Sequence, residues 1–134
     1  MRIMITGGGT GGHTSPAVAI IEELHKRDPR LIVQWVGCKG RIEEHVSRRL
    51  GIPFRSVPVE GWPRTRRVRK VWTLAKLALS IVQSAVYIKR FRPQVIVGVG
   101  GFASLPLCYA AQRLGVPTIM HEQNKRLGMA NRLL

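Results

Sequence analysis

Ile3-Met4-Ile5-Thr6-Gly7-Gly8-Gly9-Thr10-Gly11-Gly12-His13 is the stretch that decides the fold. A short apolar run ending in a glycine cluster has the form of a buried parallel strand. The spacing predicts a helix over residues 16–27, with Pro16 in its first turn and Val18, Ile21, Leu24 and His25 recurring at helical spacing. The alternation continues downstream. Strands are expected over 31–36, 54–59, 94–99 and 117–120, and helices over 41–50 and 103–114, with Gly51 and Gly115 as helix stops. Strands alternating with helices over the whole length predict an α/β fold, a doubly wound, Rossmann-like parallel sheet.

Composition narrows the class. The chain has 134 residues, one domain's worth, and 45% of them are hydrophobic, enough to bury a core and to exclude a disordered chain. Only Cys38 and Cys108 occur, with no metal-ligand spacing, so neither a disulfide scaffold nor a zinc module is expected. The first residues run straight into glycines without a long apolar segment, so no signal peptide is expected. Formal net charge is +15, and it is unevenly placed. Residues 1–60 carry nine Lys/Arg against six acids, whereas residues 61–134 carry thirteen against Glu122 alone. The second half should meet something anionic: nucleic acid, a phosphate-bearing ligand or an anionic membrane.

Residues 64–92 are unusual. Arg64, Arg66, Arg67, Arg69 and Lys70 form a basic cluster, and residues 71–88 that follow contain a single charge, Lys76. That length raises a transmembrane helix. Thr73, Lys76, Ser80, Gln83, Ser84 and Tyr87 nevertheless fall within an arc of about 100°, which makes the segment an amphipathic crossover helix. Its apolar arc, from Trp72 and Leu79 round to Leu77 and Ile88, is wider than one sheet contact requires. The surplus is expected to touch lipid, with the basic cluster facing anionic headgroups; the bland alternative is a solvated charge run.

The glycines between the first strand and first helix permit tight turns and bring backbone N–H groups to a ligand, and the helix terminus behind them favours negative charge. Gly7, Gly9 and Gly12 satisfy the dinucleotide pattern GxGxxG, but that reading wants an acid at the end of the second strand, where Gly37-Cys38-Lys39 stands. P-loop spacing is also present, yet His13 replaces the lysine, which disfavours an ordinary ATPase or GTPase. A second loop, Gly98-Val99-Gly100-Gly101-Phe102-Ala103-Ser104, follows the fourth strand, and His121-Glu122-Gln123-Asn124 follows the fifth. All three lie at the carboxyl edge of a parallel sheet, where ligands bind in this architecture.

Gly8-Gly9-Thr10-Gly11-Gly12-His13 with Pro16, the second loop with Ser104 and Pro106, and His121-Glu122-Gln123-Asn124 with Gly128 and Asn131 closely resemble the MurG family of peptidoglycan N-acetylglucosaminyltransferases. The resemblance covers the whole chain. It implies that residues 1–134 are the N-terminal, acceptor-binding domain of a two-domain GT-B enzyme, cut short within a helix opening at Gly128, with the C-terminal UDP-sugar-binding domain absent. The implied reaction moves N-acetylglucosamine from UDP-GlcNAc to the 4-hydroxyl of the muramoyl sugar in undecaprenyl-diphosphate-linked lipid I, with inversion, forming lipid II. The fragment alone is expected to be inactive. Phe102 departs from the tyrosine common in the family.

Inversion requires a base to take the hydroxyl proton and dipoles to hold the diphosphates. His13 and Glu122 are the candidate bases. Matching family positions, Thr10, Gly11, Gly12 and Asn124 are expected on the donor; Gly8, Gly9, Gly100, Gly101, Phe102 and Asn131 on the acceptor and its diphosphate. Arg64, Arg66, Arg67, Arg69, Lys70, Trp72 and Leu79 are expected at the membrane, on its cytoplasmic face. No cofactor and no metal are implied, since no Asp-x-Asp occurs. The expected partners are UDP-GlcNAc, the lipid-linked acceptor, the anionic membrane and a donor domain in cis or in trans, without nucleic acid. Aromatics make up only 6% of the chain and none interleaves with the basic run over 64–70, so base stacking is poorly served. The alternatives are an NADP-binding Rossmann module, with Lys39 or Arg41 taking the 2′-phosphate, and a separate acceptor subunit of a split transferase.

Overall fold

The computed structural model describes residues 1–8, 11–60 and 67–121, with no side-chain description for Gly11, Gly12 and His13. Its elements run β1 (Arg2–Thr6), α1 (Gly11–Arg27), β2 (Ile32–Gly37), α2 (Ile42–Arg49), β3 (Phe54–Ser56), α3 (Arg67–Phe91), β4 (Val95–Gly98), α4 (Ser104–Arg113) and β5 (Thr118–Met120). The five strands form one parallel sheet in the order β3-β2-β1-β4-β5. Chain order therefore reverses between β1 and β4, the switch point at which a doubly wound sheet opens a crevice.

Alternation along the strands divides the core in two. Ile3, Ile5, Val33, Trp35, Val97 and Val99 pack with Ala17 and Ile21 of α1 and Val46 of α2 on one face. Met4, Val36 and Ile96 pack with Ile88 of α3 and with Leu107, Cys108, Ala110 and Ala111 of α4 on the other. Covering both faces is what lets central strands be apolar throughout. Burial pushes the Cys108 thiol up to about 12 and the Cys38 thiol up to about 11, which keeps both in the unreactive form.

Three expectations need correction. Helix α1 begins at Gly11 and not at Pro16, so the glycine run itself supplies the first turn and Pro16 lies inside the helix. His25, placed among the apolar positions of that helix, is exposed. Strand β3 ends at Ser56 instead of running to residue 59: Val57 N–H still reaches the Gly37 carbonyl at 2.9 Å, and Pro58 then has no N–H to continue the ladder. Val57 and Val59 leave the sheet to pack under α3.

Helix α3 is longer than expected and turned in an unexpected sense. Its buried positions are Thr73, Ser80, Ser84 and Ile88, so the small polar arc faces the body. Ser80 donates to the Lys76 carbonyl at 2.7 Å, satisfying its hydroxyl within the helix. The Thr73 hydroxyl lies 2.8 Å from both the Arg69 carbonyl and Glu60 Oε1, and Lys76 Nζ lies 3.1 Å from Glu60 Oε2. The Thr73 hydroxyl, then Lys76, hold the Glu60 carboxyl below the usual carboxylate range. Small residues on the inner face let α4 approach closely. Leu77, Ile81, Ile88 and Phe91 also pack on this core, but the other bulky residues are left outside: Val68, Val71, Trp72, Leu74, Leu79, Val82 and Val86 are all exposed.

Candidate functional site

The ends of β1 and β4 build the site. Thr6 pairs with Gly98, and the ladder then runs past both strands: Val99 N–H donates to the Thr6 carbonyl at 2.9 Å and Gly8 N–H to the Gly100 carbonyl at 3.3 Å. The two glycine loops are thus joined main chain to main chain. Side chains would separate them. A Cβ on Gly7 would stand 2.6 Å from the Gly100 carbonyl oxygen, and one on Gly101 2.5 Å from that of Gly8. Gly7, Gly8, Gly100 and Gly101 also all have positive φ, where other residues are strained.

Buried polar groups brace this joint. The Thr6 hydroxyl lies 2.9 Å from the Val36 carbonyl and 3.0 Å from the Ala103 carbonyl, linking β2 to the second loop through β1. Trp35 Nε1–H donates to the Gly7 carbonyl at 3.2 Å. Ser104, first residue of α4, donates to the Gly101 carbonyl through its N–H at 3.2 Å and its hydroxyl at 2.7 Å. The amino termini of α1 and α4 follow directly on the two loops, so both helix dipoles favour an anion at this edge. His121 closes the third side, its N–H donating to the Gly98 carbonyl at 2.7 Å. Its Nδ1 is shielded from solvent and without a hydrogen-bond partner among the described residues.

Of the residues expected at the site, Gly8, Gly100, Gly101 and half-buried Phe102 meet at the joint, and Gly11, Gly12 and His13 contribute backbone to the first turn of α1. Gly9, Thr10, Glu122, Asn124, Asn131 and the helix expected from Gly128 lie outside the described residues. Among the membrane candidates, Arg67, Arg69, Trp72 and Leu79 are exposed on α3 and Lys70 is half-buried, while Arg64 and Arg66 lie outside the described residues. The five described side chains belong to α3, apart from the glycine joint at the sheet edge.

The expectation that no acid stands at the end of β2 is corrected. Glu43, in the first turn of α2, folds back so that its Oε1 accepts the Cys38 N–H at 3.1 Å. It is fully buried and so is not open to a ribose. Its only signal in the sequence was an acid six residues beyond a strand-ending glycine. Trp35 and Thr6 were likewise missed, as ordinary strand residues. No metal-holding group of His, Cys, Asp and Glu occurs among the described residues.

Comparison with known proteins gives one consistent picture. The profile of the glycosyltransferase family 28 N-terminal domain matches residues 3–134. A UDP-N-acetylglucosamine–N-acetylmuramyl-(pentapeptide) pyrophosphoryl-undecaprenol N-acetylglucosamine transferase of Exiguobacterium is 43% identical over all of this chain and 37% of its own length. An enzyme of the same name from Bacillus thuringiensis is 39% identical over the same shares. The crystal structure of Acinetobacter baumannii MurG superposes with a TM-score of 0.80 at 25% identity, over 98% of this chain and 37% of that one. The chain thus spans little more than a third of the length of these relatives.

Proposed function

Because the chain belongs to the glycosyltransferase family 28 N-terminal domains, in the MurG family, we propose that it is the acceptor-side domain of an inverting N-acetylglucosaminyltransferase. The enzyme takes the sugar from UDP-GlcNAc and places it on the muramoyl 4-hydroxyl of lipid I. Residues 1–134 act together with a donor-binding domain, joined in cis or recruited in trans, at the cytoplasmic face of the membrane. The observation that carries this reading is the main-chain joint of the two glycine loops at the switch point, Gly8 N–H to the Gly100 carbonyl.

In this reading, backbone N–H groups from both loops, reinforced by the α1 and α4 dipoles, hold the acceptor's diphosphate without a metal. Thr10, Gly11, Gly12 and Asn124 meet the donor sugar across the cleft. His13, at the start of α1, takes the proton from the attacking hydroxyl, the general-base role to which an imidazole is chemically suited. Glu122 is the rival base.

The test uses the chain joined to the remainder of the Exiguobacterium relative, with radiolabelled UDP-GlcNAc and lipid I. Labelled lipid II is the expected product, with none from the 134 residues alone. His13→Ala and Asn124→Ala should each lower the rate about a hundredfold with the melting temperature unchanged. Transfer by the isolated chain, or near-normal rates in both variants, would overturn the assignment.

A further inference from the structure

Beneath the first glycine loop lies an acid for which the transfer chemistry has no use. Glu43 is completely buried in the first turn of α2, where the helix dipole favours its negative charge. Its Oε1 accepts the Cys38 N–H at the end of β2. A Cβ on Gly8 would stand 2.5 Å from its Oε2, and a Cβ on Gly37 would stand 2.7 Å from its Cγ. The side chain therefore fills the wedge between the ends of β1 and β2, while the Gly8 N–H is directed to Gly100 of the neighbouring loop. Burying a carboxylate is costly even when it is hydrogen-bonded, and leucine would fill the same wedge more cheaply. Space-filling alone does not account for the residue; a side chain that both fills the wedge and accepts a backbone N–H does.

We propose that Glu43 is a positioning residue: wedged under Gly8 and tied to Cys38, it holds the first glycine loop against Gly100 in the shape that receives the acceptor's diphosphate. The role rests on the transferase reading above. Glu43 touches no substrate and acts through Gly8. Gln at this position keeps both the shape and an oxygen acceptor for Cys38 N–H; Leu keeps only the volume; Ala keeps neither.

Two measurements judge it separately from the transferase reading. On the 134-residue chain, amide hydrogen exchange should speed up about tenfold or more at Gly8 and Cys38 in Glu43→Leu and Glu43→Ala, and stay near wild type in Glu43→Gln. In the enzyme joined to the Exiguobacterium remainder, Glu43→Leu should raise the KM for lipid I about tenfold with kcat and the KM for UDP-GlcNAc little changed, and Glu43→Gln should restore it. If the joined wild-type enzyme transfers nothing, the transferase reading falls while the exchange rates still judge the wedge. Unmoved Gly8 exchange in Leu and Ala variants overturns the proposal, as does a Gln variant as impaired as Leu. An acceptor KM that stays put while exchange rises overturns it equally.

Discussion

Gly101→Ala lowers the melting temperature of the chain several times more than Gly115→Ala, although the two glycines have nearly the same φ. Their φ values are +81° and +74°, so alanine meets the same left-handed strain at each, about 1 kcal/mol. Their surroundings differ. Nothing lies within 4 Å of a Cβ on Gly115, whereas a Cβ on Gly101 would stand 2.5 Å from the Gly8 carbonyl oxygen. That oxygen is main chain and has no rotamer to escape into, so the loops must part. Displacing the joint adds about 1–3 kcal/mol of overpacking and weakens the Gly8–Gly100 hydrogen bond. At about 4 °C per kcal/mol for a domain of this size, Gly115→Ala should melt about 4 °C below wild type and Gly101→Ala about 15 °C below. Circular dichroism melts of the three chains decide the matter. Equal losses at both positions would mean that the loops are not interlocked.

That joint also marks where the sequence stops being readable. Each glycine loop announced itself, because each ends an apolar run and precedes a helix. Their mutual contact did not, since β1 and β4 are adjacent only through a crossover of almost ninety residues, and nothing local encodes which strands become neighbours. Glu43 escaped for a related reason: it reaches the end of β2 by folding back from a helix, and a strand-end acid was sought in the strand's own continuation. Pro16 misled because proline favours a helix's first turn without requiring it, and the Gly11-Gly12 turn lies ahead of it. Pro58 was legible in principle, as a residue that cannot continue a ladder, and was passed over for the apolar Val57 and Val59.

Helix α3 carries the sharper lesson. Periodicity located its two faces but not which of them turns inward, because that depends on what covers them. Thr73 and Ser80 satisfy their hydroxyls along the helix, the Ser84 hydroxyl has no hydrogen-bond partner among the described residues, and the small size of all three allows close packing. Bulky side chains can then remain outside, provided something other than water meets them.

That something is proposed to be the membrane, and the expected effect is large. Val68, Trp72, Leu79, Val82 and Val86 recur every three, four or seven residues along one side of α3, with Val71 and Leu74 beside them, and Trp72 is 66% exposed. The stripe runs about 27 Å at 1.5 Å per residue. Arg67, Arg69 and Lys70 stand at one end and Lys89 and Arg90 at the other. The helix is long and apolar enough to cross a bilayer by length and composition, but Thr73, Ser80 and Ser84 are committed to the protein body, so it is proposed to lie in the interface with its outer face immersed. Immersing Trp72 and Leu79 contributes about 2 kcal/mol each, and each basic residue near anionic headgroups about 1 kcal/mol. Trp72→Glu with Leu79→Glu should therefore weaken partition onto vesicles of phosphatidylglycerol and phosphatidylcholine by about a thousandfold. The melting temperature should hardly move, because both side chains already face water. Arg67→Gln with Arg69→Gln should cost about thirtyfold on the same vesicles, a loss that vanishes on neutral ones or in high salt. If the glutamate pair binds vesicles as well as wild type, the stripe is not what meets lipid, and the bulk on the outer face of α3 loses its explanation.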